Sequence, residues 1–322
     1  MPKEITHWIA AEKLRGKLEG TPWARAIEAN PSCLDLGAVA HDALYFLPAT
    51  YPEKVKRVPH ILAGHNGEDT YDVIRVLTGN IIEQGGGAEN AHLCAWLAGL
   101  ASHIHLDAAF HPLVFHHTGN YHHENTRDRS RAVQRHRAME TLMDIHLAGG
   151  LKEVMTYSLQ GMLNSRLVAL KRLFSECGFA EVGGVSRSQT VEAMTAAFKV
   201  YASVQGMSLK LFNAKMIYRL RRMLPRGLKE LGALFYIPQM RKQLPRLEGE
   251  IPYLHPATGE EHAHSLNELL ETAVDQTADL LLRLQPMVFE GSEFRLPERG
   301  PAMDGAPKDE LRYFADNPLI EF

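Results

Sequence analysis

The sequence has few of the features that define secreted, membrane-spanning or nucleic-acid-binding proteins. Only three of its 322 residues are cysteine, and their wide spacing without a CxxC pair argues against a disulfide framework and a thiolate zinc site. No apolar run reaches the roughly 18 residues that cross a bilayer. The formal net charge of -3 gives no reason to expect a nucleic-acid partner.

The beginning of the chain also lacks a secretory signal. Residues 1–7 have neither the apolar core nor the small-residue cleavage site of a signal peptide. We therefore expect a cytoplasmic protein, in which Cys33, Cys94 and Cys177 are reduced and buried as small apolar side chains.

Strand signals are scarce, whereas helix signals recur along the chain and predict an all-α fold. Thr21-Pro22 is typical of a helix start, and Asn30-Pro31 is typical of the end of that helix. The apolar stretch 88–110 predicts a buried helix that ends at Pro112.

Further helices are expected at about 129–148, ending at Gly149-Gly150, and at 150–176, 190–222 and 228–243. Ser265-Leu266-Asn267-Glu268 is a capping-box pattern that opens an amphipathic helix, which Pro286 should end. From about 287 onward, glycine, proline and acidic residues predict an irregular arm packed on the body. We divide the chain into a metal-binding helical core, 1–150, and a C-terminal helical extension, 151–322.

Histidine is the residue type with the most uneven distribution. Of 17 histidines, ten fall within residues 92–146: His92, His103, His105, His111, His116, His117, His122, His123, His136 and His146. Neutral imidazole is the commonest protein ligand of transition metals and the usual acid or base near neutral pH. The cluster predicts a metal or catalytic site, with a solvated histidine-rich loop as the alternative.

One predicted helix presents three polar side chains on roughly the same face, at positions that recur every four residues: His103, Asp107 and His111. The next helix repeats this spacing with His136 and Glu140. Two facing helices that each supply an inward histidine and carboxylate can form a polynuclear metal site.

A surface ion pair produces the same spacing, so the neighbouring residues decide between the two interpretations. His103 and Asp107 follow the apolar stretch 93–101 on the same helix. Polar side chains in such surroundings need partners or a metal, because burial without compensation is costly. The context therefore favours the metal site.

Three segments place these candidate ligands in a characteristic order. They are Ala40-His41-Asp42, then Ser102-His103-Ile104-His105-Leu106-Asp107-Ala108-Ala109-Phe110-His111-Pro112, then His136-Arg137-Ala138-Met139-Glu140. This order resembles the zinc-dependent phospholipase C family, which includes secreted bacterial phosphatidylcholine-hydrolysing enzymes and the catalytic part of the phospholipase D that acts on GPI anchors. It is more distantly similar to the three-zinc, single-strand-specific nucleases. The resemblance covers about residues 1–150 and implies an all-helical fold.

The resemblance also implies two or three zinc ions and their ligands. One zinc would be held by Asp42, His65, His103 and Asp107. A second would be held by His111, His136 and Glu140. A third would share Asp107 and use His7, together with an N-terminal Trp that the secreted enzymes expose by processing, whereas this chain begins Met1-Pro2. Asp42 is also expected to act as the base, or to orient the attacking water.

Two positions depart from the family pattern or leave an alternative. His41 stands where the family more often has proline, and His60 lies only five residues before His65 in the same predicted loop. Either His60 or His65 can therefore supply the ligand expected from that loop.

The implied activity is the hydrolysis of a phosphodiester, in a small phosphoester or a phospholipid. Zinc suits this reaction because it neutralises the charge of the phosphate oxygens and lowers the pKa of bound water to about 7. One alternative is an HD-type phosphohydrolase with the ligands His7, His41, Asp42 and Asp107, in which the second zinc set is dispensable. The other is a non-catalytic metal-binding module that docks a partner through its C-terminal half.

Residues 210–246 carry ten basic side chains and one acidic side chain, Glu230. Four of the basic residues follow helical spacing, with apolar residues between them: Lys215, Arg219, Arg222 and Arg226. This pattern is typical of a helix that contacts an anionic membrane surface. A solvated helix face that pairs with the acidic segment 290–310 is the more usual meaning of such a run.

The remaining histidines of the cluster have weaker interpretations. The segment 115–123 is expected to be a solvated loop beside the site, with a substrate entrance as the alternative. His105 and His146 are expected to support the ligands or to lie satisfied in the core.

Overall fold

The computed structural model describes residues 3–164 and 167–322 and confirms the all-α fold class. The helices of its first half are α1 Glu4–Lys17, α2 Pro22–Ala29, α3 Pro31–Gly37, α4 Ala40–Ala43, α5 Glu53–Lys56, α6 Val58–Leu62, α7 Asp72–Glu83, α8 Ala91–Thr118 and α9 Thr126–Leu147. Those of the second half are α10 Leu151–Val154, α11 Leu159–Asn164, α12 Leu167–Glu176, α13 Phe179–Gly183, α14 Arg187–Ser208, α15 Leu211–Leu220, α16 Arg226–Gly232 and α17 Leu266–Phe289.

Short 3-10 helices and one hairpin complete the secondary structure of the described residues. The 3-10 helices are Leu44–Phe46, Pro238–Leu247 and Lys308–Glu310. The strands β1 Ile251–Leu254 and β2 Glu261–His264 pair antiparallel, with Ile251 opposite His264. The predicted division of the chain after residue 150 stays a prediction.

Helix α8 is the centre of the fold, and α1, α2, α3 and α17 pack around it. Residues 93–101 of α8 are buried, and the apolar side chains among them are at most 1% exposed. By length and composition this helix could cross a membrane, but 89% of its most apolar window is buried inside the protein, as in a core helix. The predicted apolar helix is therefore confirmed as the core element.

The prediction that this helix ends at Pro112 is wrong, because α8 continues to Thr118. Proline removes one backbone hydrogen bond, which normally interrupts a helix. Here the following turn, with Leu113, Val114 and Phe115, is at most 2% exposed, so tertiary packing holds the helix together across the proline.

Three helix starts follow local signals, whereas one predicted helix end does not. Thr21 Oγ1 accepts a hydrogen bond from the Ala24 amide, and Ser265 and Glu268 form the predicted capping box. Helix α9 begins three residues before its predicted start, because the Asn125 side chain caps its first turn. Pro286 does not end α17, which continues to Phe289.

The prediction of continuous helices at 150–176, 190–222 and 228–243 is wrong, because each range is divided into shorter helices. The first is three short helices, α10 to α12, within the described residues; the second is α14 and α15; and the third is α16 followed by a 3-10 helix. The connections 155–158 and 209–210 contain no glycine or proline, so hydrophobic periodicity alone did not locate them.

After α17 the chain runs as a mostly irregular segment, which we define as the C-terminal arm, residues 290–322; it begins after Phe289 and not at about 287. The Arg75 side chain donates hydrogen bonds to the backbone oxygens of Leu296 and Glu298. Met303 and Ile320 are at most 1% exposed. Cys33, Cys94 and Cys177 are buried, as expected.

Two glycines permit the close approach of α3 to α8. A Cβ at Gly99 would clash with the carbonyl oxygen of Leu34 and lie 2.7 Å from the Ala38 nitrogen, and a Cβ at Gly37 would clash with the Trp96 carbonyl. This backbone contact places the Ala38 carbonyl beside α8.

We expect Gly99→Ala to lower the free energy of unfolding by about 1–3 kcal/mol, because the added methyl group forces α3 away from α8. Gly79→Ala is the matched control: it also lies in a helix, nothing lies within 4 Å of its Cβ position, and it should gain up to about 1 kcal/mol. Urea unfolding of both variants measures the difference. Equal midpoints for Gly99→Ala and the parent would contradict the packing argument.

Candidate metal centre

The first group of candidate ligands lies where three helices meet, and its donor atoms lie within 4.8 Å of one another. Its members come from α1, α4 and α8: His7, Asp42, His103 and Asp107. None of these residues is more than 4% exposed. The two oxygens of Asp107 lie 3.3 Å from His103 Nε2 and 3.4 Å from His7 Nε2, so Asp107 is shared between two imidazoles.

The hydrogen bonds of two histidines define which nitrogens carry protons. His103 Nδ1 lies 2.8 Å from the Ala38 carbonyl oxygen, and His41 Nε2 lies 2.8 Å from the Pro59 carbonyl oxygen. A carbonyl oxygen only accepts, so both of these nitrogens are donors. In neutral rings the lone pairs of His41 Nδ1 and His103 Nε2 would then face each other at 3.0 Å. A proton or a cation is needed between them.

Electrostatics agree with this requirement. Burial lowers the pKa of His103, but the carboxylates of Asp107 and Asp42 outweigh it and raise that pKa to about 9. Burial raises the pKa of Asp107, but the charges of His103 and His111 hold it well below its usual range. Burial also lowers the pKa of His7. The group therefore keeps negative charge in the core, next to imidazoles that can balance it.

Several buried polar atoms of this group have no hydrogen-bond partner among the described residues. They are both ring nitrogens of His7, Oδ1 of Asp42 and both carboxylate oxygens of Asp107. Leaving such atoms without partners inside a protein is costly. Two imidazoles and two carboxylates are a donor set that zinc accepts, so the residues present fit a zinc ion.

The second group follows on α8 and α9 and consists of His111, His136 and Glu140. The His111 Nδ1 donates to the Met303 carbonyl at 2.5 Å, which leaves its Nε2 as an acceptor facing the group. His136 Nε2 lies 3.0 Å from Glu140 Oε1. A carbonyl that orients a histidine through its second nitrogen is a common support of metal ligands.

Burial sets the protonation of this second group. It lowers the pKa of His111 to about 4 and that of His136 well below its usual value, and it raises the pKa of Glu140. Both imidazoles are therefore neutral at pH 7, which is the form that binds a metal.

Both groups face one cavity of about 780 Å³. Members of each group line it: Asp42, Asp107, His111, His136 and Glu140. Because His103, Asp107 and His111 lie on successive turns of α8, the two groups are adjacent, and Asp107 lies between them along the helix.

One predicted zinc ligand lies elsewhere. His65 does not join Asp42, His103 and Asp107 but forms a third group with His122 and Asp304. His7, which the resemblance assigned to a third zinc, takes its place in the first group. The N-terminal ligands expected for that third zinc lie outside the described residues.

Sequence reasoning missed Asp304 and did not single out His122 as a ligand. His122 belongs to the histidine cluster, which is the only signal it gave. Asp304 lies in the C-terminal arm, where nothing in the sequence links it to residues 65 or 122. Burial raises the pKa of Asp304, but hydrogen bonds from His122 and His65 hold it well below its usual range.

The expectation of a solvated loop at 115–123 is wrong for its first part. His116 and His117 lie in the last turn of α8 and contact the backbone oxygens of Tyr313 and Pro252. His105 is a satisfied core residue, because it contacts the Tyr71 hydroxyl at 2.7 Å and Thr277 Oγ1 at 2.9 Å.

The fold and the site define an all-α protein with buried histidine and carboxylate groups that suit metal binding. A family model described as zinc-dependent phospholipase C matches residues 6–173, which is more than half of the chain. The protein belongs to this family of metal-dependent phospholipid hydrolases. Comparison with curated proteins and with solved structures found no similar chain.

The family match weighs against the HD-type alternative. That alternative makes His41 a ligand and leaves the second group without a role. The structure instead places the second group at the same cavity as the first, while His41 faces His103 from outside the first group.

We expect His103→Ala and His136→Ala each to lower the zinc content of the protein by at least one equivalent, because each removes an imidazole from a different group. His264→Ala, which changes a histidine on β2, should keep the parent content. Elemental analysis of untagged protein measures all three variants. A parent that stays metal-free after zinc is supplied would contradict the assignment.

Proposed function

We propose that this protein is a zinc-dependent hydrolase of phosphodiesters that cleaves a phosphorylated headgroup from a phospholipid. The observation that carries the proposal is the convergence of two buried ligand groups on one cavity. Two adjacent metal positions suit phosphodiester hydrolysis, in which charge develops on both the attacking and the leaving oxygen.

Asp42 is the residue best placed to handle the attacking water. It lines the cavity, and its Oδ1 has no hydrogen-bond partner among the described residues. Zinc ions bound beside it would neutralise the phosphate oxygens and make the water more acidic. The Asp42 carboxylate can then orient that water and accept its proton.

The walls of the cavity match the two parts of a phospholipid. Four cationic side chains line the cavity and can contact a phosphate: Lys3, Arg129, Arg137 and Lys308. The Arg137 guanidinium is fixed there by a 3.0 Å hydrogen bond to the Glu230 carbonyl. Apolar side chains that can contact the glycerol and the first acyl carbons are Phe46, Val204, Leu231 and Leu234.

We expect Asp42→Asn to lower kcat for phospholipid hydrolysis by at least 100-fold, because the amide can no longer accept a proton. Asp316→Asn changes an exposed carboxylate and should keep the parent rate. The measurement is release of phosphorylated headgroup from mixed micelles by zinc-loaded protein.

Zinc content must be measured in the same samples, because Asp42 is also a candidate ligand. No turnover by the parent on any phosphoester, with both metal groups filled, would instead support the non-catalytic module.

We also propose that α15 and α16 contact an anionic membrane. Six large apolar side chains on this segment are at least 39% exposed: Leu211, Phe212, Met216, Leu220, Met223 and Leu228. Phe212 and Met223 are exposed to 76% and 83%. Basic residues lie between them, which is the composition of a surface that inserts into anionic lipid.

The alternative of a solvated face paired with the acidic segment 290–310 lacks the expected contacts. Within residues 3–164 and 167–322, the ion pairs of that segment involve other residues: Arg295 with Glu293, Arg283 with Glu298, Arg299 with Asp69, and histidines with Asp304. Gly227 and Leu231 of α16 line the cavity, so the apolar surface adjoins the cavity in which the headgroup would bind.

Phe212→Ser combined with Met223→Ser should weaken binding to vesicles that contain phosphatidylserine by about 10-fold or more, because each apolar side chain contributes about 1.5–3 kcal/mol when it leaves water. Leu282→Ser, at a 43% exposed position on α17, is the matched control and should bind as the parent does. Vesicle sedimentation measures both. Equal binding by the double variant would exclude this surface.

A further inference from the structure

We propose that His65, His122 and Asp304 form an additional metal site that fastens the C-terminal arm over the cavity. The three residues come from distant parts of the chain: the turn after α6, the connection between α8 and α9, and the arm. Their donor atoms lie within 4.8 Å of one another. This site goes beyond the proposed function, because it requires no hydrolysis.

The geometry brings both imidazoles to one carboxylate. His65 Nε2 lies 3.1 Å and His122 Nε2 lies 3.3 Å from the same oxygen, Oδ2 of Asp304. The two rings lie 5.3 Å apart. Among the described residues, the ion-pair partners of Asp304 are all histidines, the third being His111. Two histidines and a carboxylate around one point are a usual set of three protein ligands for zinc.

Backbone hydrogen bonds hold the segments that carry Asp304 and His65 together independently of any metal. The Met303 amide donates to the Ala63 carbonyl at 3.0 Å, and the Lys308 amide donates to the His65 carbonyl at 3.0 Å. These two bonds flank Asp304 and align the arm with the segment that carries His65. Arrangements that are fixed in advance bind a metal with less loss of entropy.

The turn at Gly305 completes this alignment. Gly305 has φ +80, and a Cβ there would lie 2.8 Å from Pro112 Cγ. Only glycine fits this conformation and this contact without strain. Asp304 is thereby directed toward α8 and the histidines.

Neighbouring residues also orient the imidazole rings of His65 and His122. His65 Nδ1 lies 3.0 Å from His60 Nδ1, so its Nε2 is directed toward Asp304. The amide of His122 donates to Asn120 Oδ1 at 2.8 Å, and the His122 ring stacks on Phe115. Contacts that orient the ligands are typical of metal sites.

Exposure distinguishes this site from the two buried groups. The side chain of His122 is 23% exposed, and those of His65 and Asp304 are 11% and 8% exposed. All three line the cavity, so a water or a phosphate oxygen can take the fourth position. A metal here should exchange with chelators before metals in the buried groups do.

The test uses zinc itself and counts the ions bound after equilibrium dialysis. Asp304→Asn and His122→Asn should each bind one zinc equivalent fewer than the parent, and Asp316→Asn, an exposed position on the same arm, should bind as many as the parent. Zinc should also slow hydrogen exchange of the amides at 300–308 in the parent and in Asp316→Asn, but not in the two site variants.

An unchanged zinc count in both site variants would overturn the proposal. Because His111 also contacts Asp304, the variant Asp304→Asn can disturb the second group and lose more than one equivalent. The count for His122→Asn then decides: one equivalent fewer supports the site, and the parent count overturns it. The count does not depend on turnover, so a failure of the proposed function would leave this result intact.

Discussion

The burial of ionisable side chains within an apolar helix is the constraint on which the rest of the structure depends. His103, Asp107 and His111 are at most 1% exposed in α8, whose preceding turns are apolar. Each of them must find compensation inside the protein. The compensating groups come from α1, from α4, from the Ala38 carbonyl at the end of α3, and from the backbone of the C-terminal arm. The position of each of these elements is therefore tied to α8.

Because a single helix carries ligands of both buried groups, the distance between the groups is fixed by helix geometry. His103 and His111 are eight residues apart, which corresponds to about 12 Å along the axis. The continuation of α8 through Pro112 keeps this part of the helix packed on both sides. The two groups differ in their carboxylates: each has two imidazoles, but the first group has two carboxylates and the second has one.

The parts of the site that follow from helical spacing could be predicted from the sequence. The four-residue spacing of His103, Asp107, Glu140 and His136 depends only on the helix period, and the family resemblance added Asp42 and His7. The partners of His65 could not be predicted, because Asp304 approaches through an irregular arm whose course is set by tertiary contacts. Tertiary contacts also explain why α8 does not end at Pro112 as predicted, since burial of the following turn outweighs the local signal of the proline.

The three ligand groups differ in how much of the chain each one needs. All members of the two buried groups precede residue 141, whereas the third group also needs Asp304 in the C-terminal arm. His111 also depends on the arm, because its orienting carbonyl belongs to Met303. Loss of the arm would therefore leave His65 and His122 without their shared carboxylate and would remove part of the cavity wall, to which Met303, Asp304 and Lys308 contribute.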